Sequence, residues 1–170
     1  MRQIGIEPAE IFTPNIDESP HKRESPRAHA LRLATAKLAA CQREAFVIAA
    51  DTVVAAGARI LPKAETGGDA RNCLSLLSGR RHRVYTAVAI RAPNGKQAAR
   101  NVLSVVGFAR LSPQQIETYL ATGEWAQKAG GYAIQGAAAA FINFLSGSYS
   151  GVVGLPLYET YSLLSGLGYR

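Results

Sequence analysis

Apolar residues along this chain recur in two rhythms, one near every third or fourth position and one continuous, and the rhythm separates helices from strands. Residues 1–24 show neither. Pro8, Pro14 and Pro20 and the acidic pair Asp17-Glu18 make them a loop-rich entry. Ser25-Pro26 then supplies an N-cap followed by proline at the first helical position. A helix is predicted from there to about residue 44, with Ala28, Leu31, Leu33, Ala34, Leu38 and Ala39 at helical spacing. Residues 46–50 form an apolar run expected as a buried strand, and residues 53–60 a bent strand or a hairpin turning at Gly57. Thr66 precedes a second helix, with Gly68-Asp69-Ala70 in its first turn, Leu74, Leu76 and Leu77 near its end, and Gly79 as a C-terminal cap. Residues 84–90 and 102–109 read as strands flanking a Pro93-Asn94-Gly95 turn. Ser112-Pro113 begins a third helix that stops before Gly123; residues 141–145 are strand-like; Pro156 opens a last helix from Leu157 to about residue 167. Helices alternate with strands, so the expected class is α/β, a mixed twisted sheet flanked by helices, in a single domain over residues 1–170.

Composition agrees with that picture. The 170 residues are 48% apolar and 18% charged, enough for one sizeable core. No apolar run reaches 18 residues, so no membrane span is expected, and the opening MRQIGIEPAE lacks a signal-peptide layout. Cys41 and Cys73 stand at no metal-like spacing and are expected as helix residues in a reducing cytosol. A net charge of +7 suits anionic partners, polynucleotide or small phosphates. The positive residues are scattered, however, densest at Gly79-Arg80-Arg81-His82-Arg83, and aromatics do not interleave with them. That arrangement disfavours nucleic acid.

A handful of positions could carry chemistry. Asp51 follows the apolar run of residues 47–50, and a carboxylate at a strand end could hold a divalent metal or take a proton from water. A turn or helix-capping aspartate is the alternative. Lys63, after Pro62, could reach a phosphate or stand solvated. Lys37 lies among small apolar residues and either snorkels to solvent or points into a cleft holding an anion. Glu18, before Pro20, could ligate a metal or sit in a solvated loop. Gln135 sits in Lys128-Ala129-Gly130-Gly131-Tyr132-Ala133-Ile134-Gln135-Gly136; its amide suits a nucleobase edge, and the three glycines would let backbone approach a ligand. Residues 148–156 end at a helix start that could receive a phosphate or be only a tight turn. His21, His29 and His82 are scattered, and no Ser/His/Asp or Cys/His arrangement stands out.

Taken in order, IDESP (16–20), RLATAKLAA (32–40), VIAADTVV (47–54), ILPK (60–63), LSGRRHRVYTAVAI (77–90), YLATGEWAQKAGGYAIQG (119–136) and GSYSGVVGLPLYET (147–160) resemble the Maf family of nucleoside triphosphate pyrophosphatases. The resemblance spans nearly the whole chain. It implies a Maf/inosine-triphosphatase-like fold with a cleft between two lobes. It also implies hydrolysis between the α and β phosphates of a nucleoside triphosphate, with Mg²⁺ or Mn²⁺, by a cytoplasmic protein that is often a homodimer. Septum formation and removal of non-standard nucleotides are the family's associations. Matched position by position, Asp51 falls on the general base, which with Glu18 would hold the metal. Glu18, Lys37 and Lys63 fall on the charged pocket, and Thr52 and Gln135 on choice of base. The form KAGGYAIQG resembles the dTTP/UTP branch rather than the 7-methyl-GTP branch. One feature departs from the family. Its usual opening strand and Ser-x-Ser-Pro-Arg-Arg loop are not matched, since MRQIGIEPAE resembles the segment after them and Ser25-Pro26-Arg27 comes too late. An upstream start or a degraded or repurposed paralogue would follow, with an uncovered sheet edge and a kcat/KM lowered by loss of two forked phosphate donors. The alternatives to a dTTP/UTP pyrophosphatase are a weak or inactive nucleotide-binding paralogue and an enzyme for another base, CTP or 7-methyl-GTP.

Overall fold

The computed structural model describes residues 1–170. After a short 3₁₀ turn at Arg2–Ile4 and the expected loop, α1 (Pro26–Ala40) leads to β1 (Val47–Ala56), β2 (Arg59–Leu61), α2 (Gly67–Leu77), β3 (Arg81–Arg91) and β4 (Gln97–Phe108). Then follow α3 (Pro113–Ala121), a 3₁₀ turn at Ala137–Phe141, β5 (Ile142–Ser146), α4 (Tyr149–Val153) and α5 (Leu157–Gly166). The strands lie in the order β2-β1-β3-β4-β5.

The α/β class holds, but every strand pairing is antiparallel rather than mixed. The cause is the reversal at Gly57, whose φ is +63°. Because β2 has already turned the chain round, the α2 crossover returns it antiparallel to β1. Gly95, at φ +81°, turns β3 into β4 in the same sense.

Helices cover both faces, so the central strand β3 reads as a continuous apolar run, Ala87-Val88-Ala89-Ile90, all buried. On one face α1 lays Ala30, Ala34 and Leu38 against Val53, Ala87 and Ala89. Alanine meeting alanine lets helix and sheet approach closely. The buried stripe of α1 is Pro26, His29, Ala30, Leu33, Ala34 and Leu38, whereas Ala28, Leu31 and Ala39, expected on it, are exposed. On the other face α2 and α3 pack Leu74, Leu77, Ile116 and Tyr119 with Val54, Val84, Val106 and Phe108. Further along, α5 sets Leu163 and Leu164 against Val88 and Ile90.

Local signals fix most boundaries. Ser25 caps α1 by accepting from the Ala28 N–H, Thr66 and Asp69 form a capping box on α2, and Ser112 and Gln115 form one on α3. The triplet Ser25-Pro26-Arg27 is therefore a helix start. α1 ends four residues before the expected 44, because the Arg91 guanidinium, reaching over from β3, donates to the carbonyls of Leu38 and Cys41. Residues 47–50 are half-buried rather than buried, since β2 pairs only with residues 54–56 and no strand covers the outer edge of β1 before them. Both cysteines are free, Cys73 within α2 and Cys41 at the end of α1. No helix is long and apolar enough to cross a membrane.

Candidate active site

That open edge of β1 forms the floor of a cleft of about 230 Å³. Asp51 does not end the strand, as the sequence suggested. It lies mid-strand, paired with Ala87, and is 6% exposed. Strand alternation then sends successive side chains to opposite faces of the sheet. Asp51 points toward α1, and Thr52 toward the α4 side.

On the α1 side, four charges form a chain. Lys37 Nζ lies 2.6 Å from Asp51 Oδ1 and 2.7 Å from Glu18 Oε1, and Lys63 Nζ donates to Glu18 Oε2. Lys37 thus does not snorkel free; α1 presents it to the sheet, and to two carboxylates, on the face that buries Leu33, Ala34 and Leu38. Glu18 arrives on the N-terminal loop. An Asp17 carboxylate accepting from the Ser19 N–H and the Arg32 guanidinium donating to the Ser19 carbonyl hold that loop in place. Arg32 is itself paired with Glu24, whose carboxyl it holds far below the usual range.

Electrostatics differ along the chain. Burial pushes the Asp51 carboxyl up, and the Lys37 ammonium beside it only partly offsets this. Burial acts on Glu18 too, but there two lysines outweigh it and keep the carboxyl below its ordinary value. Lys37, despite its own burial, is held charged by both carboxylates. The pair Asp51 and Glu18 already converges on one cation, the ammonium. Hard oxygen donors of this kind fit a divalent ion bound through one or two carboxylates plus phosphate oxygens. No group of three or more His, Cys, Asp or Glu side chains gathers anywhere to hold a metal by itself.

The opposite wall is built by two zipped segments. Ala64 and Gly130 N–H groups donate to the carbonyls of Lys128 and Pro62, which sets Lys63 beside Ala129. Beyond them the chain carries Tyr132 and Gln135 to the cleft, Gln135 exposed at its mouth. A family model described as Maf-like protein matches residues 1–167. The chain belongs to the Maf family. Among its relatives a protein of Caulobacter vibrioides named dTTP/UTP pyrophosphatase is 56% identical, covering 100% of this chain and 90% of its own length. A Hyphomonas neptunium protein of the same name is 55% identical over the same shares, and one from Mesorhizobium japonicum 53% over 100% and 86%.

All the positions matched to the Maf pattern therefore line one cleft or its ion chain: Glu18, Lys37, Asp51, Thr52, Lys63 and Gln135. The loop glycines serve packing. A Cβ on Gly130 would stand 2.9 Å from Val54 Cγ1, and one on Gly131 3.0 Å from Ala70 Cα. They let the loop approach β1 and α2. Ser148 caps the five-residue α4 by accepting from the Gly151 N–H, and residues 154–156 lead from it to the start of α5.

Sequence reasoning missed three contributors. Val153 of α4 lines the cleft, and nothing in Ser-Tyr-Ser-Gly announces a helix. Tyr132 also lines it and is held by His82 Nε2 at 2.8 Å, a contact between residues 50 apart in sequence. Arg32 positions the Glu18 loop, and its pairing with Glu24, eight residues earlier and outside the helix, follows no local spacing rule.

Proposed function

We propose that this Maf protein hydrolyses dTTP and UTP to the monophosphate and pyrophosphate, with the triphosphate on the Asp51 face of the cleft and the base on the Thr52–Gln135 face. The observation that carries this reading is the alternation at positions 51 and 52. One strand edge offers a carboxylate within a chain of two lysines and two carboxylates on one side and neutral hydrogen-bonding groups on the other. The names of the relatives supply the bases.

In the mechanism that follows, Lys63, more than two-fifths exposed, swings from Glu18 to the phosphates as a point charge. Lys37 stays with Asp51, holding it in position and offsetting its charge. Asp51 orients a water and takes its proton as the water oxygen bonds to phosphorus; the bridging P–O bond breaks and pyrophosphate leaves. A raised carboxyl pKa makes Asp51 a better base than an ordinary aspartate. A divalent ion, Mg²⁺ or Mn²⁺, would be held by Asp51 and Glu18 with substrate oxygens, and when bound it neutralises charge on the phosphates. The chemistry is otherwise positioning and electrostatics. A single Maf-like domain acting as a cytoplasmic homodimer, with a role in nucleotide house-cleaning and septum formation, completes the proposal on the strength of the family resemblance.

The test is pyrophosphate release from dTTP, UTP, CTP and 7-methyl-GTP in Mg²⁺. Preferential turnover of dTTP and UTP is expected. Tight dTTP binding without release would replace the enzyme by a nucleotide binder, and preference for another nucleotide would overturn the base assignment.

A further inference from the structure

Behind the base side of the cleft, a chain of hydroxyls has a fixed direction. Thr52 Oγ1 lies 3.2 Å from Thr86 Oγ1 across the β1–β3 pair, and Thr86 Oγ1 donates to the Gly151 carbonyl at 2.7 Å. A hydroxyl has one proton and two lone pairs. Thr86, 1% exposed, spends its proton on a carbonyl that can only accept. The contact between the two threonines must then be donated by Thr52. Thr52 lines the cleft, so whatever part of its hydroxyl a ligand there meets offers lone pairs only.

We propose that Thr86 is a positioning residue for base selection: by consuming the Thr52 proton it makes the cleft wall a pure acceptor, which favours a pyrimidine with a ring N–H at position 3. This rests on the pyrimidine triphosphate reading above. Thymine and uracil carry N3–H, a donor that an acceptor-only hydroxyl satisfies. Cytosine in the same register presents N3 as an acceptor. Two sets of lone pairs then face each other, and neither group finds its hydrogen bond, a pairing that costs more than a bond merely absent. Gln135 cannot impose this choice by itself, because its amide offers a donor and an acceptor and can turn to suit either base.

The Gly151 carbonyl also ties the direction to the fold. α4 is fastened to the sheet by Thr86 and by Ser104 Oγ, which accepts from the Ser148 N–H at 3.0 Å, and to α5 by Ser150 Oγ, which accepts from the Leu157 N–H. Thr86 is thus not the only anchor of α4, and removing its hydroxyl leaves the helix held.

The experiment compares kcat/KM for dTTP and CTP in the wild type, Thr86→Val, Thr86→Ser, Thr52→Val and the Thr52→Val/Thr86→Val double variant, with thermal melts as a fold control. Thr86→Val frees the Thr52 proton to point at cytosine N3. The dTTP:CTP preference should fall about tenfold, with Thr86→Ser restoring it. Since Thr86 acts through Thr52, adding Thr86→Val to Thr52→Val should leave the preference where Thr52→Val puts it. An unchanged ratio in Thr86→Val, or equal multiplicative losses in the double variant, would overturn the proposal while leaving the activity assignment standing. Should Thr86→Val melt too low to assay, Thr52→Val alone decides: no change in its dTTP:CTP ratio removes the acceptor that Thr86 is said to fix. A wild type that neither binds nor turns over dTTP would instead remove the pyrimidine reading, and this inference with it.

Discussion

At the scale of residues, the site is a contest over one carboxylate. Burial raises the Asp51 pKa and Lys37 pulls it back, so ionised Asp51 is lost at a higher pH than an exposed aspartate would be. The acid limb of the rate profile should therefore lie above the ordinary value of 3.8. Replacing Lys37 by Met removes the lowering influence, and that limb should move to higher pH; a limb that stays in place would mean Lys37 does not act on Asp51. Asp51→Asn keeps the volume and most of the hydrogen bonding but cannot accept the proton. Pyrophosphate release should drop by at least about a hundredfold with dTTP binding largely retained, and equal turnover would exclude Asp51 as base. Gln135→Ala should broaden the range of bases used more than it slows dTTP; an identical substrate ranking would show that its amide reads nothing. These residues were nameable from the sequence, but their partners were not. Lys37, Asp51 and Glu18 are 14 and more residues apart, and no spacing rule joins a loop, a helix and a strand.

At the scale of elements, caps and glycines carry the argument. Ser25 satisfies an N–H at the start of the helix that delivers Lys37, so Ser25→Ala should lower stability by about 1 kcal/mol in urea unfolding. Gly130 is a harder case. Its φ of +71° is a region that β-carbons resist, and a Cβ there would press on Val54 of β1. Gly130→Ala should cost about 3 kcal/mol and displace the segment that seats Lys63; a variant as stable as the wild type would show that the loop moves aside freely. Caps and turn glycines are local, and so were legible: Ser25, Thr66, Ser112, Gly57 and Gly95 all act where the sequence placed them. What glycines 130 and 131 pack against was not legible, because steric demand is visible only once the neighbouring element is in place.

At the scale of the whole molecule, His82 joins the core to the cleft. Packed edge-on to Phe108 and Tyr132 and 2% exposed, it is pushed down to about 4 by burial. The unfolded chain, with its histidine near 6.5, takes up a proton that the folded one refuses between those pH values. Stability is then complete above 6.5 and is lost as pH falls toward 4, by about 3 kcal/mol in all. His82→Gln should flatten that part of the stability curve, and a curve of the same slope would place the acid sensitivity elsewhere. Glu24, held low by Arg32, adds a further loss below its ordinary 4.5.

Sequence alone determined the class, most of the elements and the family, because periodicity, caps and motif order are properties of neighbours along the chain. It also named the six candidate site positions, through motifs rather than through geometry. Tertiary structure alone decided that the sheet is antiparallel, since that depends on how many reversals precede each strand. It decided that Asp51 lies mid-strand with an open edge beside it, a consequence of how far β2 pairs. It also decided that Thr86, the neighbour of Thr52 across the sheet, spends its proton on the carbonyl of Gly151, 65 residues further along. Distances across a fold are set by packing, and packing is a property of the whole chain at once.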